Sequence, residues 1–260
     1  MFNKLIDILN RPNADPVGAT YPLMGSAWPM TLILISYMYF VLKCGKLFMA
    51  KREAYKLKTV LMVYNVYNAM VFAYIFYHMF IEPKYDFRCM ETMQLDDPHK
   101  NVERYISYAY YINKVIDLLD TVFFVLRKSY KQITFLHVYH HAMMVFAVYW
   151  VSRLYGFGAQ FAVLGLLNSF VHAIMYYYYF ISAMYPSLKQ SIWWKQYITI
   201  TQLLQFVLIG AQCLWILVYN QQCKFPKLLQ FGLLIQSVTF IIMFSNFYYH
   251  TYVKPKPKVK

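Results

Sequence analysis

Seven blocks of mostly apolar residues, each about the length of a membrane-spanning helix, dominate this 260-residue chain. They cover 28–47, 58–81, 105–127, 134–152, 158–181, 195–219 and 228–252. Some 60% of the residues are hydrophobic and only 14% charged, too apolar a balance for an ordinary soluble domain. The connections are too short to hold a second domain. The expectation is one all-α integral membrane domain over 1–260, with seven transmembrane helices and a basic tail at 253–260. Residues 1–27 carry Asp7, Arg11, Asp15 and three prolines and lack an apolar core, so they do not read as a cleavable signal. The first block then serves as a signal anchor.

The charges orient the blocks. With the N-terminus outside the cytosol, fifteen of the 25 lysines and arginines fall on the cytosolic side. They include Lys43 to Lys58 at the end of the first block and beyond it, Arg127, Lys128 and Lys131 around the end of the third, and Lys189 and Lys195 around the start of the sixth. This asymmetry predicts a luminal N-terminus and a cytosolic C-terminus. Most of these residues need do no more than fix topology and meet anionic lipid, and nucleic acid is excluded as a partner of so apolar a chain.

Cys89 and Cys223 fall in connections on the non-cytosolic side, where an oxidising lumen permits a disulfide between them. Cys44 and Cys213 lie in or near helices and read as packing residues. The tail ends Lys254-Pro-Lys-Pro-Lys-Val-Lys260. Lys256 and Lys258 look like a di-lysine endoplasmic-reticulum retrieval signal, which functions only on a cytosolic tail. The alternative is a solvated tail beside anionic headgroups.

Polar residues inside the blocks are the exceptions that need explaining. The third block carries Lys114, Asp117, Asp120 and Thr121, with the charged residues at i,i+3 spacing. Such charges must pair or face a wet cavity, and a purely structural Lys114–Asp117 pair is an open alternative. The fourth carries His137, His140 and His141, whose spacing puts His137 on one helical face beside both others. Clustered imidazoles suit either a metal site or acid/base and nucleophilic chemistry. The fifth block places Asn168, His172, Met175, Tyr176 and Tyr179 on one face, and the sixth carries Thr199, Gln202 and Gln205. For the tyrosines the plain alternative is interface packing; for Gln202 and Gln205 it is interhelical hydrogen bonding.

Depth counting joins these groups. Asp120, His140, His172 and Gln202 each stand seven to nine residues from their cytosolic boundary. At the helical rise this is roughly 10–14 Å into the bilayer. Four helices therefore present polar groups in one layer, expected to be a site entered from the cytosol with an apolar chamber beyond it.

Together the strings Lys114-x-x-Asp117-x-x-Asp120-Thr121, His137-x-x-His140-His141, Asn168-x-x-x-His172-x-x-Met175-Tyr176-x-Tyr178-Tyr179 and Thr199-x-x-Gln202-x-x-Gln205 resemble the very-long-chain fatty acid elongases of the ELO family. These are 3-ketoacyl-CoA synthases of the endoplasmic reticulum. The likeness covers nearly the whole chain, and four ordered motifs are specific where a lone His-x-x-His-His is not. Asp117 stands where the family often has Glu, a change that keeps the carboxylate. The Val138-Tyr139 pair within the histidine box matches the larger branch of the family. The resemblance implies six helices ringed around a closed acyl tunnel, a homodimer, and other enzymes of the elongation cycle as partners. It implies that acyl-CoA and malonyl-CoA condense to a 3-oxoacyl-CoA two carbons longer, with release of carbon dioxide and CoA. Both are substrates, and no cofactor is implied.

No cysteine falls in the polar layer, so the expected nucleophile is neutral His140, attacking the acyl thioester to form an acyl-imidazole. His172 and His141 then stabilise the enolate or shuttle the proton, Asp120 orients an imidazole, and His137 supports. Lys114, Asp117, Thr121, Asn168, Met175, Tyr176, Tyr179, Gln202 and Gln205 are candidate substrate-binding residues lining the pocket. Lys128, Lys131, Lys189 and Lys195 are candidates for the CoA phosphates. Two other classes compete. A histidine-box di-iron desaturase or hydroxylase needs about eight histidines, whereas this chain has seven and His78, His99 and His250 map elsewhere, so no metal is assigned. A non-enzymatic receptor or carrier would use the polar layer as a ligand path.

Overall fold

The computed structural model describes residues 13–81, 88–158, 160–185 and 192–254. Among these residues the regular structure is helical and no strand occurs. Helix α1 spans Ala27–Met49, α2 Lys58–Ile81, α3 Lys100–Ile116 and α4 Leu119–Leu126. Helix α5 spans Phe135–Leu154, α6 Phe161–Met184, α7 Ile192–Tyr219 and α8 Lys227–Tyr248, which continues through a π turn at Tyr249–Val253. Five of these rods, α1, α2, α6, α7 and the extended α8, are long and apolar enough to cross a membrane. The chain is an all-α integral membrane protein.

The block expected as one helix over 105–127 is two helices, and it begins earlier, at Lys100. Its early start follows from polar neighbours: Asp97 Oδ1 accepts the His99 N–H at 2.7 Å, just before the first turn. Its break is a local tightening. The Leu118 N–H turns to Val115 O and the Asp120 N–H to Asp117 O, i→i+3 bonds of 3.2 and 3.1 Å in place of an α-helical ladder. Lys100, Glu103, Arg104, Asn113 and Lys114 of α3 are all buried, so this rod packs its polar residues into protein.

Cα packing divides the chain into two compact units, Met1–Lys58 with Thr92–Ala159, and Thr59–Glu91 with Gln160–Lys260. In the first unit, Ser26 caps α1 by accepting the Trp28 N–H, with Pro29 in the first turn. The helix widens into a π turn at Phe40–Cys44. At the next residue a side chain has no room: a Cβ on Gly45 would lie 2.7 Å from Val125 Cγ1 and 2.8 Å from the Phe40 carbonyl oxygen. This glycine is what lets α1 lie against α4. Met30, Val41, Tyr111, Leu118, Val138 and Tyr149 build the core between the helices.

One end of the first unit is closed by a buried polar belt. Arg104 donates to both oxygens of Asp15, at 2.7 and 3.0 Å, and Lys100 pairs with Glu103 at 2.6 Å. Gly158, at φ 85°, passes so close to Glu103 that any Cβ there would collide with the carboxylate. Burial alone raises the Asp15 carboxyl, but hydrogen bonds from Arg104 and the Gly18 N–H, with the guanidinium charge, outweigh it and hold the group below its ordinary value.

In the second unit, α7 and α8 form an antiparallel hairpin over Ile209, Cys213 and Leu233. Phe206 packs on Phe240 and Phe244 at ring separations of 4.9 and 5.3 Å. A disulfide joins Cys89 to Cys223 with their Cα atoms 5.5 Å apart, tying the chain beyond α2 to the α7–α8 connection. Asn220 Nδ2 donates to Arg88 O at 2.9 Å beside it. Val63, Met70, Ile235 and Ile242 point outward, more than half exposed, as lipid-facing positions require.

Candidate functional site

In the first unit the polar groups of α4 and α5 meet at their facing surfaces. The Thr134 hydroxyl accepts the His137 N–H at 3.2 Å and so fixes where α5 begins. That start sets the phase of the three histidines. The rings of His137 and His141 lie 4.3 Å apart, and those of His140 and His141 5.5 Å apart and edge-on. Across from them, consecutive residues of α4 supply two supports. Asp120 Oδ2 stands 4.0 Å from His141 Nε2, and Thr121 Oγ1 hydrogen-bonds His137 Nε2 at 2.9 Å. Asp120 is largely buried and Thr121 wholly so. Phe124, one turn on, packs its ring 5.1 Å from that of His137.

Lys114 and Asp117 lie at the α3–α4 break, joined at 3.0 Å with both side chains 2% exposed. The Lys114 ammonium also sits 5.1 Å from the centre of the Tyr110 ring. Thr121 makes a second bond, 2.8 Å to the Tyr37 hydroxyl of α1. Sequence reading overlooked Tyr37 because one tyrosine among 27 carries no motif. With Ser36 before it and Tyr39 and Phe40 after it, nothing in the sequence set it apart.

In the second unit, Asn168, His172, Met175 and Tyr176 all face inward from α6 and are buried. Tyr179 is 43% exposed, so the face expected to carry all five residues buries four and ends at a rim, where Tyr179 meets Tyr176 edge-on. Tyr176 is enclosed by α2, with Phe72 stacked on it at 6.0 Å and Tyr64 edge-on at 5.9 Å. Phe72 also packs 4.8 Å from the His172 ring. Tyr64 and Phe72 were also missed, although Tyr64, Asn68 and Phe72 recur at i,i+4 and Asn68 is fully buried. From α7, Gln202 Nε2 approaches Met175 Sδ at 3.6 Å, Gln205 is buried, and the Thr199 hydroxyl donates to the Lys195 carbonyl at 2.9 Å.

Lys131 and Lys195 are exposed. Lys128, at φ 55°, is the left-handed residue that ends α4: its N–H reaches Val125 O at 2.9 Å and the Ser129 N–H reaches Phe124 O at 2.8 Å. Lys189, Lys256 and Lys258 lie outside the described residues. Among the described residues no three His, Cys, Asp or Glu side chains are grouped so as to hold a metal ion.

This geometry sits on a sequence with clear relatives. The profile of the GNS1/SUR4 (ELO) family matches residues 22–260. The chain is 38% identical over 248 residues to very long chain fatty acid elongase F of Drosophila melanogaster, covering 94% of this chain and 95% of that protein. It is 36% identical over 247 residues to human very long chain fatty acid elongase 4, covering 94% of this chain and 77% of the relative. A third relative, mouse very long chain fatty acid elongase 1, is 36% identical over 250 residues, covering 94% and 88%. With the family profile spanning nearly its whole length and the motif residues gathered on the helices described, the chain belongs to the ELO family.

Proposed function

We propose that this protein is the condensing enzyme of fatty-acid elongation, joining a long-chain acyl-CoA to malonyl-CoA. An imidazole nitrogen of His140 attacks the thioester carbonyl. The C–S bond breaks, CoA leaves as the thiolate, and the acyl group rests on the ring. Malonyl-CoA then loses carbon dioxide, and the electron pair of the broken C–C bond becomes the enolate of acetyl-CoA. Its α-carbon attacks the acyl carbonyl, the C–N bond breaks, and the 3-oxoacyl-CoA leaves with His140 regenerated. His141, its Nε2 near Asp120, and His172 are the groups assigned to the enolate charge and the proton. Asn168, Gln202 and Gln205 are assigned to thioester oxygens, and Lys128, Lys131, Lys189 and Lys195 to CoA phosphates.

The observation carrying this reading is the anchored imidazole cluster, in which no cysteine takes part. Cys89 and Cys223 are bonded to each other, Cys213 is enclosed by apolar side chains of the second unit, and Cys44 is a free thiol in the π turn of α1 rather than on α4 or α5. The names of the related elongases support the substrate class. We infer further that the protein resides in the endoplasmic-reticulum membrane with a luminal N-terminus and a cytosolic tail, and works as a homodimer. The test is turnover by the purified protein in nanodiscs with labelled malonyl-CoA and acyl-CoAs of graded length. Carbon dioxide release matched to 3-oxoacyl-CoA, abolished in His140→Ala, is the expected result; no release with any acyl-CoA overturns it.

A further inference from the structure

Tyr37, Thr121 and His137 form an unbroken chain through three helices, with links of 2.8 and 2.9 Å, buried at Tyr37 and Thr121 and part-buried at His137. Its polarity follows from counting protons. Tyr37 is 6% exposed, and Thr121 is its side-chain hydrogen-bond partner among the described residues. A buried phenol proton left without an acceptor is costly, so Tyr37 donates to Thr121. The Thr121 hydroxyl is wholly buried and has one proton of its own. With its oxygen accepting from Tyr37, that proton goes to His137 Nε2. His137 Nε2 is thereby an acceptor, and the neutral ring carries its proton on Nδ1.

We propose that Tyr37 is a positioning residue for the reaction. Through Thr121 it locks His137 in the neutral Nδ1–H tautomer, so that a fixed uncharged ring stands 4.3 Å from His141. Thr121 is then a relay in this chain, where the sequence suggested a substrate contact. His137 held this way cannot take a proton at Nε2 without reversing both hydrogen bonds. The proton-transfer work is left to His141, whose Nε2 lies toward Asp120. The same α4 segment, Asp120-Thr121, thus faces the two rings from adjacent positions, one by a hydrogen bond and one by a carboxylate at 4.0 Å.

This inference rests on the condensing reaction proposed above, and its test separates the two. The readout needing no turnover is nitrogen NMR of the seven histidines in labelled protein in nanodiscs, with His137 assigned by its loss in His137→Gln. Wild type is expected to show His137 protonated on Nδ1, and Tyr37→Phe to show a mixture of tautomers. A single Nε2–H form in wild type overturns the proposal whether or not the protein turns over. The kinetic readout is a cycle of Tyr37→Phe, Thr121→Val and their double variant, with Thr121→Ser as rescue. Tyr37→Phe is expected to lower kcat about 3- to 10-fold, the worth of one buried hydrogen bond, with KM for acyl-CoA little moved. Thr121→Ser is expected to recover most of the rate lost in Thr121→Val, and the double variant to be no slower than Thr121→Val alone. Fully additive losses, or a Tyr37→Phe enzyme as fast as wild type, contradict it. Inactivity of wild type itself bears on the condensing reaction and leaves the NMR result to decide the tautomer.

Discussion

Lys114 and Asp117 are paired at 3.0 Å at the point where α3 gives way to α4. The pair is buried, and removing one residue takes away the other's bonded counter-charge. Asp117→Ala is expected to cost about 3–5 kcal/mol, and Lys114→Met with Asp117→Leu together much less than the sum of the singles. Thermal unfolding in detergent measures both. Asp117→Glu, which restores the residue common in the family, is expected to fold with the pair intact.

The Asp15–Arg104 pair gives a pH dependence of definite sign. The Asp15 carboxyl titrates below its ordinary value of 3.8 in the folded protein. The folded state therefore binds its proton less readily than the unfolded one. The stabilisation is fully present above pH 3.8 and is lost as pH falls below it, through the folded-state value. Wild type is expected to lose more thermal stability than Asp15→Asn between pH 6 and acid conditions of about pH 3. Parallel losses in the two proteins would remove the pair from the account.

Gly45 tests the fit of α1 on α4. The nearest obstacles to a Cβ include the Phe40 carbonyl oxygen, which a rotamer change cannot move. Gly45→Ala is expected to destabilise the protein by about 1–3 kcal/mol, the range for overpacking a close contact. An unfolding midpoint equal to wild type would show that the approach is looser than described.

The disulfide offers a chemical check. Peptide mapping without reductant should recover Cys89 and Cys223 in one linked species that reduction separates. The bond closes a sequence separation of 134 residues. Replacing both cysteines by serine is expected to lower stability by about 2–5 kcal/mol.

Much of this was legible in the sequence because membrane helices are written in long apolar runs. The α2 bounds coincide with the expected 58–81, and α1, α5, α6, α7 and α8 fall within a few residues of expectation. The α3–α4 break was not legible. No proline or glycine marks it, and the i,i+3 spacing of Lys114 and Asp117 would pair as well on an unbroken helix. In the site, residues that carry charge or an imidazole announced themselves by their cost in hydrocarbon. Tyr37, Tyr64 and Phe72 did not, because a tyrosine or phenylalanine in a membrane helix is ordinary. Only the three-dimensional partners, Thr121 for Tyr37 and Tyr176 for Tyr64 and Phe72, reveal their part.

The central claim is that His140 carries the acyl group. Rapid mixing of nanodisc-embedded enzyme with long-chain acyl-CoA, in the absence of malonyl-CoA, measures it most directly. A burst of free CoA equal to one per active site, absent in His140→Ala and retained in His137→Gln, is the predicted result. CoA release that begins only when malonyl-CoA is added, or a full burst in His140→Ala that disappears in His172→Ala, would contradict it.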